Sequence, residues 1–322
     1  MPTIPEKIKL IDSICDQLYR RLESCDICPR ECRVNRHEKP GFCGAKEDVY
    51  IYTAFLHQGE EPGISAKTGS GTLFFSGCSL KCCYCQNFKF SQKLTGHEFS
   101  IDKMAAMMLK LQKKGAANIN LVTPTHYLPQ ILKALSIAYE NGLNIPLVYN
   151  TSGYEKPQII QMLDGIVDIY LPDAKYFDSE TAAKYSSGAK DYPQNNQASL
   201  LEMYRQQPRC IPGLQLDCKS GMQRGMIVRH LVLPGHIQES LDILKWLKNN
   251  LPDALVSVMF QYQPYYKAKD TLEINRPVNK QEYQAVKDLV ETIHIQGWVQ
   301  EYTAQETLAG AYFEPGFDKL GT

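Results

Sequence analysis

From residue 71 onward, apolar runs alternate with helical patterns, and this alternation constrains the fold more than any other feature of the chain. The runs at 71–76, 118–123, 146–150, 166–171, 226–233 and 255–260 have the length and composition of buried strands. Between them, apolar spacing of three to four predicts helices near 101–114, 127–141, 155–163, 179–187, 196–206 and 238–250, with a last one near 279–294. Strands separated by single helices imply a parallel sheet with right-handed crossovers. Six such units predict an α/β fold, a partial (β/α)6 parallel barrel with its chemistry at the C-terminal ends of the strands. Ahead of it, Ile8, Ile11, Cys15, Leu18 and Leu22 form a helical stripe, on which Cys15 reads as a small buried hydrophobe. The chain thus divides into an N-terminal helix with a cysteine-rich metal-binding extension, 1–66, and a core domain, 67–322. The one long polar stretch, 186–197 (SSGAKDYPQNNQ), reads as a loop.

Charge and cysteine usage narrow the class. Lys+Arg and Asp+Glu are both 35, so no net field draws the protein to nucleic acid or to an anionic membrane. No stretch approaches the roughly 20 apolar residues that span a bilayer. The start, MPTIPEKIKLIDS, lacks the cationic-then-apolar pattern of an export signal, so a cytoplasmic location is expected. Eleven cysteines, odd in number and bunched, argue against a disulfide framework and for metal or catalytic thiols.

Four cysteines fall within CSLKCCYCQN, directly after the first apolar run. Cys78, Cys82 and Cys85 stand at C-x3-C-x2-C spacing, and Cys83 falls outside it. A structural zinc normally takes two separated ligand pairs. Three thiolates can instead hold three irons of a cubane [4Fe–4S] cluster and leave the fourth iron open to a small ligand. The string Cys78, Cys82, Tyr84, Cys85 resembles the radical S-adenosylmethionine superfamily. That resemblance implies a [4Fe–4S] cluster on the three cysteines and S-adenosyl-L-methionine on the open iron. It implies reductive cleavage to a 5′-deoxyadenosyl radical, hydrogen abstraction from substrate, and an electron donor such as flavodoxin or ferredoxin. Tyr84 would lie against the adenine region.

Further stretches resemble the glycyl-radical-enzyme activases, the branch that includes the activating enzyme of pyruvate formate-lyase. NTSG (Asn150 to Gly153) is similar to their T-x-G stretch beside the cofactor, which implies roles for Asn150 and Ser152. PDAK is similar to their D-x-K, so Lys175 would contact the cofactor's carboxylate with Asp173 in the same polar layer. On IVRHLVLPG, Arg229 and His230 point to opposite faces, and the resemblance places Arg229 inward. The activases' G-G-E segment is replaced here by VTPTHY, which leaves the ammonium to Thr123, Thr125 or a backbone carbonyl. His126 is then free for another role or is simply structural. The histidine expected after the sixth strand is also missing, and Phe260 to Tyr266 (FQYQPYY) offer pocket-lining aromatics and amides instead. No residue is singled out as the catalytic group.

Upstream, Cys25, Cys28, Cys32 and Cys43 give C-x2-C-x3-C-x10-C in a loop too polar to fold alone, which implies a second metal site. Zinc and an auxiliary [4Fe–4S] cluster both suit four thiolates. The element resembles one found in activase-like radical S-adenosylmethionine proteins, where it precedes an H-x-G-E-E-P segment. Here that segment is His57 to Pro62, and its paired acids Glu60 and Glu61 read as structural before catalytic. Cys210 and Cys218 are expected to be free buried thiols. Two enzyme functions fit: activation of a substrate protein by hydrogen abstraction from a backbone glycine, or radical modification of a small molecule or peptide side chain. A metal-binding interaction module without turnover is the third reading, and an open iron counts against it.

Overall fold

The computed structural model describes residues 2–208 and 221–302. Its helices are α1 (Ile4–Arg20), α2 (Pro62–Ser65), α3 (Phe88–Ser91), α4 (Ile101–Lys113), α5 (Leu128–Glu140), α6 (Pro157–Met162), α7 (Ser179–Tyr185), α8 (Tyr192–Gln206), α9 (Ile237–Asn250) and α10 (Lys280–Thr292). Its strands are β1 (Val49–His57), β2 (Ser70–Phe75), β3 (His97–Phe99), β4 (Ile119–Val122), β5 (Leu147–Thr151), β6 (Ile169–Pro172), β7 (Gly225–Leu231), β8 (Leu255–Met259) and β9 (Gly297–Val299).

These strands form one sheet in the order β3-β1-β2-β4-β5-β6-β7-β8-β9. From β2 to β9 every neighbouring pair is parallel, and β1 pairs antiparallel with both β2 and β3. The six strands read from the sequence are β2 and β4 to β8. The fold is therefore α/β with a mostly parallel sheet. The expected partial (β/α)6 barrel is revised in strand number: among the described residues nine strands take part, and the sheet is open, with β3 and β9 at its edges and not paired to each other. Three strands, the short edge strands β3 and β9 and the antiparallel β1, were not legible as βα units. Residues 49–57, assigned above to the N-terminal region, hydrogen-bond into this same sheet as β1. The polar stretch 186–197 also needs correction, because α8 begins at Tyr192 with Pro193 in its first turn, a position where proline's missing N–H costs nothing.

The helix α1 starts at a capping box between Thr3 and Glu6, and buries Ile11, Cys15 and Leu18 against α5. Each large apolar side chain buried this way contributes roughly 1.5–3 kcal/mol. Lys7 on the same helix pairs at 2.6 Å with Asp168, whose other role is to accept the Leu147 amide at 2.9 Å. The pair therefore fixes α1 near the N-terminal ends of β5 and β6. That leaves the C-terminal ends of the strands free to form the site.

Candidate functional site

The segment between β2 and α3 carries Cys78, Cys82 and Cys85, and all three line one cavity of about 400 Å³. Each sulfur has a polar neighbour. The Leu80 amide donates to Cys78 Sγ at 3.4 Å, the Ser186 hydroxyl donates to Cys82 Sγ at 3.2 Å, and Cys85 Sγ meets Ser91 Oγ at 3.2 Å. Such contacts favour electron-rich sulfur and tune any metal centre it ligates. Burial, followed by the neighbouring Cys82, pushes the bare Cys78 thiol up to about 11 and Cys85 up to about 12. Cys83 is not part of this wall. Its amide donates to Tyr185 and its carbonyl accepts the amides of Lys267 and Ala268, so it braces the loop from behind.

Tyr84 lines the cavity and is buried, edge-on to Tyr262. Its hydroxyl accepts from Tyr176 at 2.8 Å, Tyr176 is paired with Ser186 at 2.8 Å, and Ser186 leads to Cys82. A row of hydroxyls thus connects the aromatic wall to a sulfur.

The strand ends supply a polar layer. Thr123, Asn150, Ser152, Asp173, Lys175 and Arg229 all line the same cavity. Thr123 holds a left-handed backbone at φ 57°, with its amide donating to the Asn150 carbonyl at 2.8 Å. That strained turn aims the end of β4 into the cavity. Lys175 pairs with Asp173 at 2.6 Å. Burial opposes the charge on Lys175, but Asp173 and the nearby Cys82 outweigh it and hold the ammonium above its ordinary range. Gly153 makes the polar turn possible: φ is 75°, and a Cβ there would sit 2.1 Å from the Asp173 carbonyl oxygen. Thr125 is not in this layer. Its hydroxyl donates to Glu155 at 2.5 Å and meets Tyr149, in the protein interior.

No family model matches the sequence. Uncharacterized protein MJ0674 of Methanocaldococcus jannaschii is 33% identical over 298 residues, covering 90% of this chain and 80% of that protein. This chain belongs to the MJ0674 family. Uncharacterized protein MJ0808 of the same organism is 23% identical over 278 residues, covering 78% of this chain and 75% of that one. Among solved structures, Streptococcus suis SuiB bound to precursor peptide SuiA is 13% identical with a TM-score of 0.48, and this chain spans 48% of its length. Methylornithine synthase (PylB) is also 13% identical, with a TM-score of 0.45, covering 92% of this chain and 74% of that one. Likenesses this weak decide nothing about the chemistry of the MJ0674 family, which has to be read from the site itself.

In this MJ0674-family chain, Glu60 and Glu61 are part of the cavity wall, a placement the turn-forming HQGEEP did not reveal. Arg229 faces them from β7: Nε donates to Glu61 Oε1 at 2.8 Å, and Nη2 donates to Glu61 Oε2 at 2.6 Å and to Glu60. Burial opposes ionisation of Glu61, but the Arg229 charge prevails and keeps the carboxyl below its ordinary value. Asn120 adds a hydrogen bond of 2.8 Å to Glu60. One guanidinium between two carboxylates leaves this wall anionic. His230 points the other way, with its ring nitrogens at 2.7 Å from the Ala174 carbonyl and 2.9 Å from Ser240 of α9. Tyr262, Tyr265, Gln261 and Gln263 line the far wall of the cavity.

His126 is buried outside the cavity lining, with Nε2 at 2.8 Å from the Ser76 carbonyl. Desolvation pushes it down to about 3, so it stays neutral at physiological pH. The residue that sequence reasoning missed altogether is Glu155. It is buried, accepts from both Thr125 and Thr151 on Oε1, and leaves Oε2 without a partner. Burial raises it to about 7. Nothing in NTSGYEK marks that glutamate, because its burial depends on helices far along the chain.

The N-terminal cysteines sit in the loop between α1 and β1, where Cys25 exchanges backbone hydrogen bonds of 2.9 Å with Arg33 and Val34. Burial pushes the thiols of Cys25, Cys28 and Cys43 above the ordinary cysteine range. No three His, Cys, Asp or Glu side chains among the described residues are gathered as holders of a metal ion. Cys210 and Cys218 lie outside the described residues. Among the described residues, no helix is long and apolar enough to cross a membrane.

Proposed function

We propose that this protein is a radical S-adenosylmethionine enzyme. The observation that carries the reading is the convergence on one cavity of three thiols at C-x3-C-x2-C spacing with six polar residues from the strand ends. The donor set fits a cubane: three sulfurs, each with a polar neighbour, and no fourth cysteine on the wall among the described residues. Bound there, a [4Fe–4S] cluster with one open iron would supply an electron to S-adenosylmethionine and so generate a hydrogen-abstracting radical.

The chain's own residues would bind and orient. Cys78, Cys82 and Cys85 ligate the cluster. Lys175 is a buried cation that exchanges Asp173 for the carboxylate of the cofactor. Thr123, Asn150 and Ser152 offer backbone and side-chain acceptors to its ammonium. Tyr84 packs on the adenine, and Arg229 is held by Glu60 and Glu61 with its charge more than offset, so the pair of acids faces the ribose hydroxyls or the substrate. Burial of the walls excludes water, which a radical step requires. A flavodoxin- or ferredoxin-like protein donates the electron.

The test is anaerobic reconstitution with iron and sulfide, followed by dithionite and S-adenosylmethionine. Formation of 5′-deoxyadenosine, abolished with the visible absorbance in a Cys78→Ala, Cys82→Ala, Cys85→Ala variant, is the expected result. Cleavage that persists in that variant overturns the reading. The amide- and tyrosine-lined mouth at Gln261 to Tyr265 suits a polar substrate, and a peptide loop and a polar small molecule both fit it. Glycyl-radical activation and peptide side-chain modification use the first of these, and small-molecule modification the second. A 5′-deoxyadenosine yield that rises with added peptide separates them.

A further inference from the structure

Arg36 is fully buried, yet among the described residues it makes no ion pair with a carboxylate. Its Nη1 donates to the His126 carbonyl at 2.5 Å, its Nη2 donates to the Lys46 carbonyl, and its Nε has no partner. Its guanidinium lies 5.9 Å from the Tyr127 ring, and cysteine sulfur lies close to its stem. A Cβ placed on Gly41 would lie 3.8 Å from Arg36 Cδ, 3.3 Å from Cys32 Sγ and 3.5 Å from Cys43 Sγ. The Arg36 charge also acts on Cys25.

A guanidinium taken from water without an anion is strongly disfavoured, and two carbonyl dipoles do not replace one. Four protonated thiols would leave it uncompensated. Four thiolates closed on Zn2+ or on a [4Fe–4S]2+ core carry a net charge of about −2 in either case. We propose that Cys25, Cys28, Cys32 and Cys43 form a four-thiolate metal centre and that Arg36 is its buried counter-cation.

The same side chain ties the centre to the neighbouring cysteine loop. From Arg36 the contacts run to the His126 carbonyl, and from the His126 ring to the Ser76 carbonyl, two residues before Cys78. A second link is direct, from the Cys78 amide to the Cys43 carbonyl at 3.2 Å. Filling the N-terminal centre therefore sets where the loop bearing Cys78 lies. This inference does not rest on the proposed radical chemistry, because none of Cys25, Cys28, Cys32, Cys43 and Arg36 lines the cavity.

The experiment uses the full chain carrying Cys78→Ala, Cys82→Ala and Cys85→Ala, loaded anaerobically with iron and sulfide in one arm and with Zn2+ in the other. Retention of roughly four irons or one zinc per chain is the expected result, and the arm that fills identifies the core. Adding Arg36→Met should make metal loss to a chelator about tenfold faster or more, with Arg36→Lys in between, since a buried close charge pair is being broken. Should Arg36→Met fail to fold, Arg36→Lys against its parent gives the same comparison, and exchange of the backbone amide at position 78, an alanine in this background, should quicken when the parent is stripped of metal. A parent that keeps no metal in either arm overturns the centre. Metal loss at the parent's rate in both Arg36 variants overturns the counter-cation. Neither result bears on the cavity cluster, which this background lacks.

Discussion

The amide of Cys78 donates to the carbonyl oxygen of Cys43, so the two cysteine-rich segments of the chain share a hydrogen bond. Gly77 makes the approach possible. Its φ is 90°, and a Cβ there would stand 2.7 Å from the same Cys43 oxygen and 3.3 Å from His126 Nε2. Gly77→Ala combines left-handed strain with a backbone clash, and a loss of about 2 kcal/mol or more is expected. Urea denaturation measures it, and amide exchange at Cys78 should rise in parallel.

Arg229 and its two acids form a second sharp test. Arg229→Met leaves Glu60 and Glu61 buried side by side without their cation, a change expected to cost about 3–5 kcal/mol. Glu60→Gln in the Arg229→Met background should recover part of the loss, because one buried charge is removed. Equal midpoints for the single and double variants would remove the electrostatic account.

Glu155 predicts a pH dependence of stability. Its carboxyl is raised from 4.5 to about 7, so the folded state holds the proton more tightly than the unfolded chain. The stabilisation from that proton is fully present below about 4.5 and is lost as pH rises through about 7. Glu155→Gln mimics the protonated acid and should flatten that slope, with a gain over the parent of up to about 3 kcal/mol at pH 8. Chemical denaturation across pH 5 to 8 reads both curves, and parallel slopes for parent and variant would remove Glu155 as the cause.

Cys83 and Cys82 are adjacent but face different surroundings. After reconstitution, Cys82→Ser should lose the visible absorbance of the cavity cluster, whereas Cys83→Ser should retain it, because the Cys83 backbone alone braces Tyr185 and Ala268. Equal loss in both variants would assign Cys83 to the cluster.

Lys175 carries a prediction about binding. Lys175→Met removes one charge-assisted contact, and S-adenosylmethionine affinity should fall roughly tenfold to a hundredfold. Calorimetric titration of the reconstituted protein measures it, and unchanged affinity would release Lys175 from that role.

The strands β2 and β4 to β8 were legible because each is a short apolar run bracketed by helical periodicity, a pattern that survives without tertiary context. The edges were not. The strand β9 has three residues, and β3 has three with two of them exposed, so neither carries a hydrophobic run. The partial barrel read from six βα units left the sheet free to stay open, and what the units did not carry was the strands added at both ends. Among site residues, Asp173, Lys175 and Arg229 sit at strand ends; alternation put Arg229 and His230 on opposite faces, and only the resemblance chose the inward one. Glu60 and Glu61 were underestimated because a turn before a strand looks solvated, and only Arg229, 168 residues on, makes Glu61 part of the wall. Thr125 was credited with the wrong surroundings for the same reason: its partner Glu155 is visible only once β4 and β5 lie side by side.

Arg30, between two of the N-terminal cysteines, donates to the carbonyl oxygens of Ser79, Leu80, Ser186 and Ser187. The last two lie 156 and 157 residues further along. During synthesis at about 5–20 residues per second, the wait for those acceptors is roughly ten to thirty seconds. A segment made early is thus among the last to reach its final surroundings. The thiols of the proposed four-thiolate centre spend that interval without the carbonyls that Arg30 later grips, so the order of synthesis places metal capture before closure of the surface around it.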